Sequence, residues 1–134
     1  MKHLATTLSL MLFFSILLSC QEIKKEGNIE VITAEEMQSI LDLEDIQLVD
    51  VRTPEEFKEG FIANAQNIDY FSDTFDEDIE RLDKSKPVIV YCKSGGRSAK
   101  CADKLLEAGF VKVYDLEGGI SKWKHKGLSI KTFE

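Results

Sequence analysis

Histidine is nearly absent from this chain. Of its 134 residues only two are His, at positions 3 and 125. A nucleophile that relies on an imidazole base therefore has one candidate partner beyond the first few residues, His125. That residue lies among Lys122, Lys124 and Lys126, a setting that reads as solvated surface. Cysteine is scarce too: Cys20, Cys92 and Cys101 are the whole set. They form no C-x-x-C pair, which excludes thioredoxin-like dithiol chemistry. Nor do they form a Cys/His spacing suited to zinc, so no metal and no cofactor is expected. Basic charge is in short supply. With 17 Lys and Arg against 24 Asp and Glu, the net charge is −7, which argues against a nucleic-acid partner. No internal repeat or low-complexity tract is visible. At 43% apolar and 31% charged the composition is that of a globular protein. The length suits one domain, with a monomer as the default.

The N-terminus has a different character. Lys2 and His3 precede an uncharged stretch, residues 4–21, dense in Leu, Phe, Met and Ile. A short positive start followed by an apolar run is the pattern of a secretory signal. It ends in Leu17-Leu18-Ser19-Cys20, which resembles a bacterial lipobox, whose Cys is lipidated and becomes the new N-terminus. The expected organisation is a lipoprotein signal peptide at 1–19, a lipidated Cys20 opening a polar tether at 20–28, and a domain at 29–134. An uncleaved anchor is the alternative, since the uncharged stretch is just long enough to span a bilayer. Both place the domain outside the cytoplasm, on the periplasmic side or the cell surface, held at a membrane.

Strand and helix signals then alternate. Strands are expected at 29–32, 46–51, 65–68, 87–91 and 111–115. Thr33 with Glu36 and Thr53 with Glu56 form capping boxes, the second with Pro54 at the first helical position. The spacing of Phe75, Ile79 and Leu82 predicts an amphipathic helix over the acidic stretch 73–83. Pro87 to Tyr91 is the most apolar strand and is expected to be central. A helix is expected from Ala99 to Ala108, and a last one holds Ile120 and Trp123 after Gly118-Gly119. This alternation implies an α/β domain with a five-stranded, mainly parallel sheet flanked by helices.

The chemistry concentrates in the heptad Cys92-Lys93-Ser94-Gly95-Gly96-Arg97-Ser98, between the central strand and the following helix. Sites in parallel sheets lie at the carboxyl ends of strands. A loop curled by two glycines there aims backbone N–H groups and a helix N-terminus at one sulfur. With no base available, these donors, with Arg97 and Lys93, are what lowers the thiol pKa from its ordinary value of about 8.5. Cys101 shares a helix face with Ser98, Leu105 and Ala108 and reads as a small core residue, not a resolving thiol. It lies nine positions after Cys92, too far along a helix for a disulfide without local unfolding. Asp50 and Arg52 read as a structural ion pair near the site. Trp123 reads as core, and Gly118 and Gly119 as a tight turn. Only four residues stand between Cys92 and Arg97, where tyrosine-phosphatase loops hold five. The smaller ring favours a single extra sulfur atom over a tetrahedral phosphate.

These features together resemble the rhodanese family across nearly the whole domain. Val31 to Thr33, Asp50-Val51-Arg52, Glu55-Glu56-Phe57, the Gly60 segment leading to Asn67-Ile68, the Cys92 loop and Gly118-Gly119 with Trp123 occur in the family's order. The resemblance implies a single rhodanese domain with a five-stranded parallel sheet. It also implies a ping-pong sulfurtransferase in which Cys92 takes sulfane sulfur from a small anionic donor such as thiosulfate. A thiol or cyanide then accepts it. The N–H groups of Lys93, Ser94, Gly95, Gly96, Arg97 and Ser98 would hold the persulfide, and Arg97 would close the loop and favour anions. One departure is Phe61, where the family often has His; an effect on packing or specificity is expected. The competing readings are a non-catalytic persulfide carrier or docking module, and a phosphatase or arsenate reductase.

Overall fold

The computed structural model describes residues 26–43 and 45–134. The expected signal peptide, the expected lipidation at Cys20 and most of the expected tether lie outside the described residues. Five strands form one sheet: β1 (Asn28–Ile32), β2 (Gln47–Asp50), β3 (Gln66–Asn67), β4 (Val88–Tyr91) and β5 (Lys112–Leu116). Their order is β1-β5-β4-β2-β3, and every pairing is parallel. Five helices connect them: α1 (Ala34–Leu43), α2 (Pro54–Lys58), α3 (Phe75–Ile79), α4 (Gly96–Glu107) and α5 (Gly119–His125).

The central strand is β4, and all four of its residues are fully buried. An uninterrupted apolar run is what a strand covered on both faces requires. Its alternation divides the core. Val88, Val90 and Cys92 face a layer with Val49, Val113, Phe75, Ile79, Cys101 and Leu105. Ile89 and Tyr91 face a second layer with Met37, Leu48, Ile120 and Trp123. So α3 and α4 cover one face of the sheet, while α1 and α5 cover the other. Burying each Val, Ile or Tyr side chain contributes on the order of 2 kcal/mol, which explains why β4 anchors the sheet.

Local chemistry sets the helix starts. Thr33 N donates to Glu36 at 2.8 Å and Glu36 N donates back to Thr33 Oγ1 at 3.2 Å. The same reciprocal pair forms at Thr53 and Glu56. One expected helix comes out shorter and another longer. The acidic helix occupies only Phe75–Ile79. Gln47 clamps the chain beyond it, donating to Asp83 O at 2.8 Å and accepting from Asp83 N at 2.7 Å. Leu82 is still buried, now from a turn. The helix after the cysteine loop starts three residues earlier than Ala99, at Gly96, so the last three residues of the heptad are helical.

Position follows from this topology. From β2 the chain runs outward to β3, whereas from β4 it runs the other way to β5. The strand order therefore reverses between β2 and β4, and sites in parallel sheets lie beyond the carboxyl ends of strands at such a switch point. Arg52 leaves β2 there, and Cys92 leaves β4.

Candidate active site

Cys92 is 1% exposed, and what surrounds its sulfur is mostly backbone. Gly95 N donates to Sγ at 3.0 Å, and the Ser98 hydroxyl lies 3.6 Å away. Gly95 caps α4 with φ +116°, a conformation that L side chains rarely adopt. That turn is what carries its N–H back over the sulfur. Burial pushes the Cys92 thiol up, but the Ser98 hydroxyl and the N–H groups of Ser98, Gly95 and Ser94 outweigh it. The net effect holds the thiol below its ordinary value. A thiolate at this position would owe its stability to hydrogen-bond donors rather than to a base.

The loop is fixed from beneath by α5. Ile120 N donates to Cys92 O at 2.9 Å and Ser121 N donates to Lys93 O at 3.0 Å. Both loop carbonyls are thus tied to a helix N-terminus and turned away from the sulfur. Gly119 makes this approach possible: a Cβ there would lie 2.4 Å from Cys92 O and 2.7 Å from Lys93 O. The glycine pair does more than form a turn, which spacing along the chain did not reveal.

Arg97 makes its hydrogen bonds to Glu56, at 2.6 and 2.8 Å, not to the sulfur. The Arg97 guanidinium holds the Glu56 carboxyl at about 2, well below its ordinary value. Phe71, an exposed side chain, packs its ring 5.8 Å from the same guanidinium. Arg97 therefore braces the loop against α2, 41 residues earlier in the chain. Along the chain Glu56 reads as a helix cap; its second partner, Arg97, is long-range and carries no local signal. Ser98 is buried, Lys93, Ser94 and Gly96 are exposed, and Gly95 is half-buried.

Asp50 and Arg52 form a buried ion pair at 2.6 Å, and Arg52 also donates to Gly60 O at 2.7 Å. Asn67 donates to both Asp50 O and Arg52 O. This cluster ties β2, β3 and the segment after α2 together at the carboxyl end of β2. Cys101 is 1% exposed, and burial pushes its thiol up to about 12; it packs in the core, and both described cysteines are free. Trp123 is buried and donates Nε1–H to Ser129 O at 2.9 Å. Phe61 stacks on Phe57 with centroids 4.4 Å apart and tilts against Phe133 at 5.1 Å. In place of a polar side chain this position holds an aromatic cluster, a packing role. His125 is exposed.

The profile of the rhodanese-like domain family matches residues 33–126. A chloroplastic protein of Arabidopsis thaliana named thiosulfate sulfurtransferase 16 is 39% identical over 94 residues, covering 63% of this chain and 78% of that protein. The Coxiella burnetii thiosulfate sulfurtransferase GlpE is 42% identical over 80 residues, covering 60% of this chain and 73% of that protein. Among solved structures, a rhodanese-related protein from Thermoplasma volcanium superposes with a TM-score of 0.69 at 30% identity. It covers 78% of this chain and 99% of its own. A rhodanese-like domain protein from Staphylococcus aureus gives 0.64 at 36% identity, over 77% and 99%.

Proposed function

Because the chain belongs to the rhodanese-like family, whose named relatives here are sulfurtransferases, we propose that Cys92 carries sulfane sulfur as a persulfide. The observation that supports this most is the donor set on its sulfur: Gly95 N–H at 3.0 Å, with Ser98 beside it. In the first half-reaction the Cys92 thiolate attacks the outer sulfur of thiosulfate. The S–S bond of the donor breaks, and sulfite leaves with its electron pair. In the second, cyanide or a thiolate attacks the terminal sulfur of the persulfide. Thiocyanate or a new persulfide departs, and the Cys92 thiolate is restored. No proton base is needed in either step, which suits a site without histidine. The four-residue ring between Cys92 and Arg97 favours one added sulfur over a phosphate group. Lys93 and Lys100, both exposed, favour an anionic donor.

The same reading places the domain outside the cytoplasm as a monomeric lipoprotein, lipidated at Cys20 and held off the membrane by the polar segment up to Asn28. The pattern Leu17-Leu18-Ser19-Cys20 after an apolar run supports it. The enzymatic claim is tested by a thiosulfate:cyanide assay on wild type beside Cys92→Ser. Thiocyanate from the wild type alone is expected. Equal yields from both proteins, at the uncatalysed level, would leave a docking module instead.

A further inference from the structure

The cysteine loop is braced by a helix that cannot hold itself. α2 has five residues, and none of them is buried. A helix this short is not stable alone in water, and one face of it borders an open groove lined by Pro54, Phe57, Lys58, Asn67 and Phe133. Yet α2 carries Glu56, which accepts two hydrogen bonds from the Arg97 guanidinium. Segment 128–133 supplies the missing hold. After α5 the chain runs back across the residues that follow α2. Ile130 fits against Gly60, where a Cβ would lie 2.6 Å from its Cδ1. Phe61 N donates to Lys131 O at 2.9 Å and Lys131 N donates to Phe61 O at 2.7 Å, a single antiparallel bridge. Phe133 then lays its ring against Phe57 and Phe61, with centroids at 5.9 and 5.1 Å. The ring at 61, where the family often has His, is the centre of this clasp.

Phe57 adjoins Glu56 in the chain, so the clasp grips α2 one residue from the carboxylate that meets Arg97. Arg97 in turn lies in the first turn of α4, between Gly95 and Ser98. Gly95 N–H donates to the Cys92 sulfur and the Ser98 hydroxyl lies beside it. A continuous run of contacts thus joins Phe133 to the sulfur, through Phe57, Glu56, Arg97 and the first turn of α4. Its outer end is its weakest part. Residues 131–134 are exposed, Phe133 at 60%, and segments with few buried contacts open locally at low cost. We propose that segment 128–133 is a strap in which Lys131 and Phe133 are positioning residues for the cysteine loop. Closed, the strap fixes α2, keeps Glu56 on Arg97 and holds the loop donors on the Cys92 sulfur. Peeled back, it lets those donors slacken. The proposal rests on the reading that Cys92 works as a thiolate, and not on the identity of the sulfur donor or acceptor.

The test uses the full chain and needs no turnover, so loss of sulfurtransferase activity and failure of the strap give different results. Alkylation of Cys92 by iodoacetamide is followed across pH by peptide mass spectrometry. Phe133→Ala removes the clasp, and Lys131→Pro removes the N–H that Phe61 O accepts. Each is expected to raise the pH midpoint and slow alkylation about threefold at neutral pH, about half a pKa unit. Phe133→Tyr keeps the ring and is expected to keep the wild-type midpoint. Both side chains are exposed, so the core is left intact. The deciding arm repeats Phe133→Ala in an Arg97→Ala background. Groups that act through one another are not additive, so there the same substitution is expected to add no further rise. A ring that only stabilised the fold would shift the midpoint equally in both backgrounds. That result, or a midpoint that does not rise in Phe133→Ala alone, overturns the proposal.

Discussion

Replacing Gly119 by Ala tests how the cysteine loop is held. The new Cβ would sit 2.4 Å from Cys92 O and 2.7 Å from the carbonyl carbon and oxygen of Lys93. These are backbone atoms, so no flexible side chain can yield. Gly119 also has φ +57°, where a residue with a Cβ pays about 1–2 kcal/mol. Backing α5 away breaks the bonds from Ile120 N and Ser121 N, at 2.9 and 3.0 Å, each worth about 1 kcal/mol. The sum is about 3–4 kcal/mol, and at roughly 4 °C per kcal/mol for a domain of this size Tm falls by roughly 12–16 °C. Gly96→Ala is the control in the same loop. A Cβ there meets nothing within 4 Å, and the residue is helical. It should stabilise by about 0.5 kcal/mol, raising Tm by roughly 2 °C. Thermal unfolding followed by circular dichroism measures both. A Gly119→Ala protein melting within a few degrees of wild type would refute the claim that α5 anchors the loop.

Other outcomes follow from the same geometry. Glu56→Gln keeps the Thr53 cap, since Gln serves at that position, but loses the charge pair with Arg97. With the folded carboxyl held at about 2 against 4.5, the pair's stability is present above pH 4.5 and is lost as pH falls toward 2. The partly exposed pair contributes about 1–2 kcal/mol at neutral pH, so urea midpoints of variant and wild type should differ there and converge in acid. Cys101→Ala leaves a small void but no missing chemistry, and turnover per folded molecule should match wild type; loss of turnover would make Cys101 a second functional thiol. Globomycin should cause an unprocessed precursor to accumulate in a bacterial host that processes lipoproteins, and an unchanged gel mobility would count against Cys20 as the lipidation site.

Local features were legible in the chain and long-range ones were not. The capping boxes at Thr33 and Thr53 span three residues, and both formed as read. The apolar run Val88 to Tyr91 announced a strand buried on both faces, because no polar residue interrupts it. The glycines and the absence of a base pointed to Cys92 for the same reason: the loop and its donors are contiguous. Glu56 with Arg97 is different in kind. The two lie on separate elements, 41 residues apart in the chain, and meet only because the fold places α2 against the loop. Periodicity also overran the acidic helix, since Phe75, Ile79 and Leu82 keep helical spacing while the Gln47 clamp on Asp83 ends the helix early.

The central claim is that the Cys92 sulfur takes and holds one more sulfur atom. Intact mass spectrometry after incubation with thiosulfate, followed by removal of excess donor, tests it most directly. The account predicts a gain of one sulfur atom on wild type and on Cys101→Ala, none on Cys92→Ser, and loss of the added mass when cyanide is supplied. An unmodified wild type, or a sulfur adduct that persists on Cys92→Ser, would contradict it.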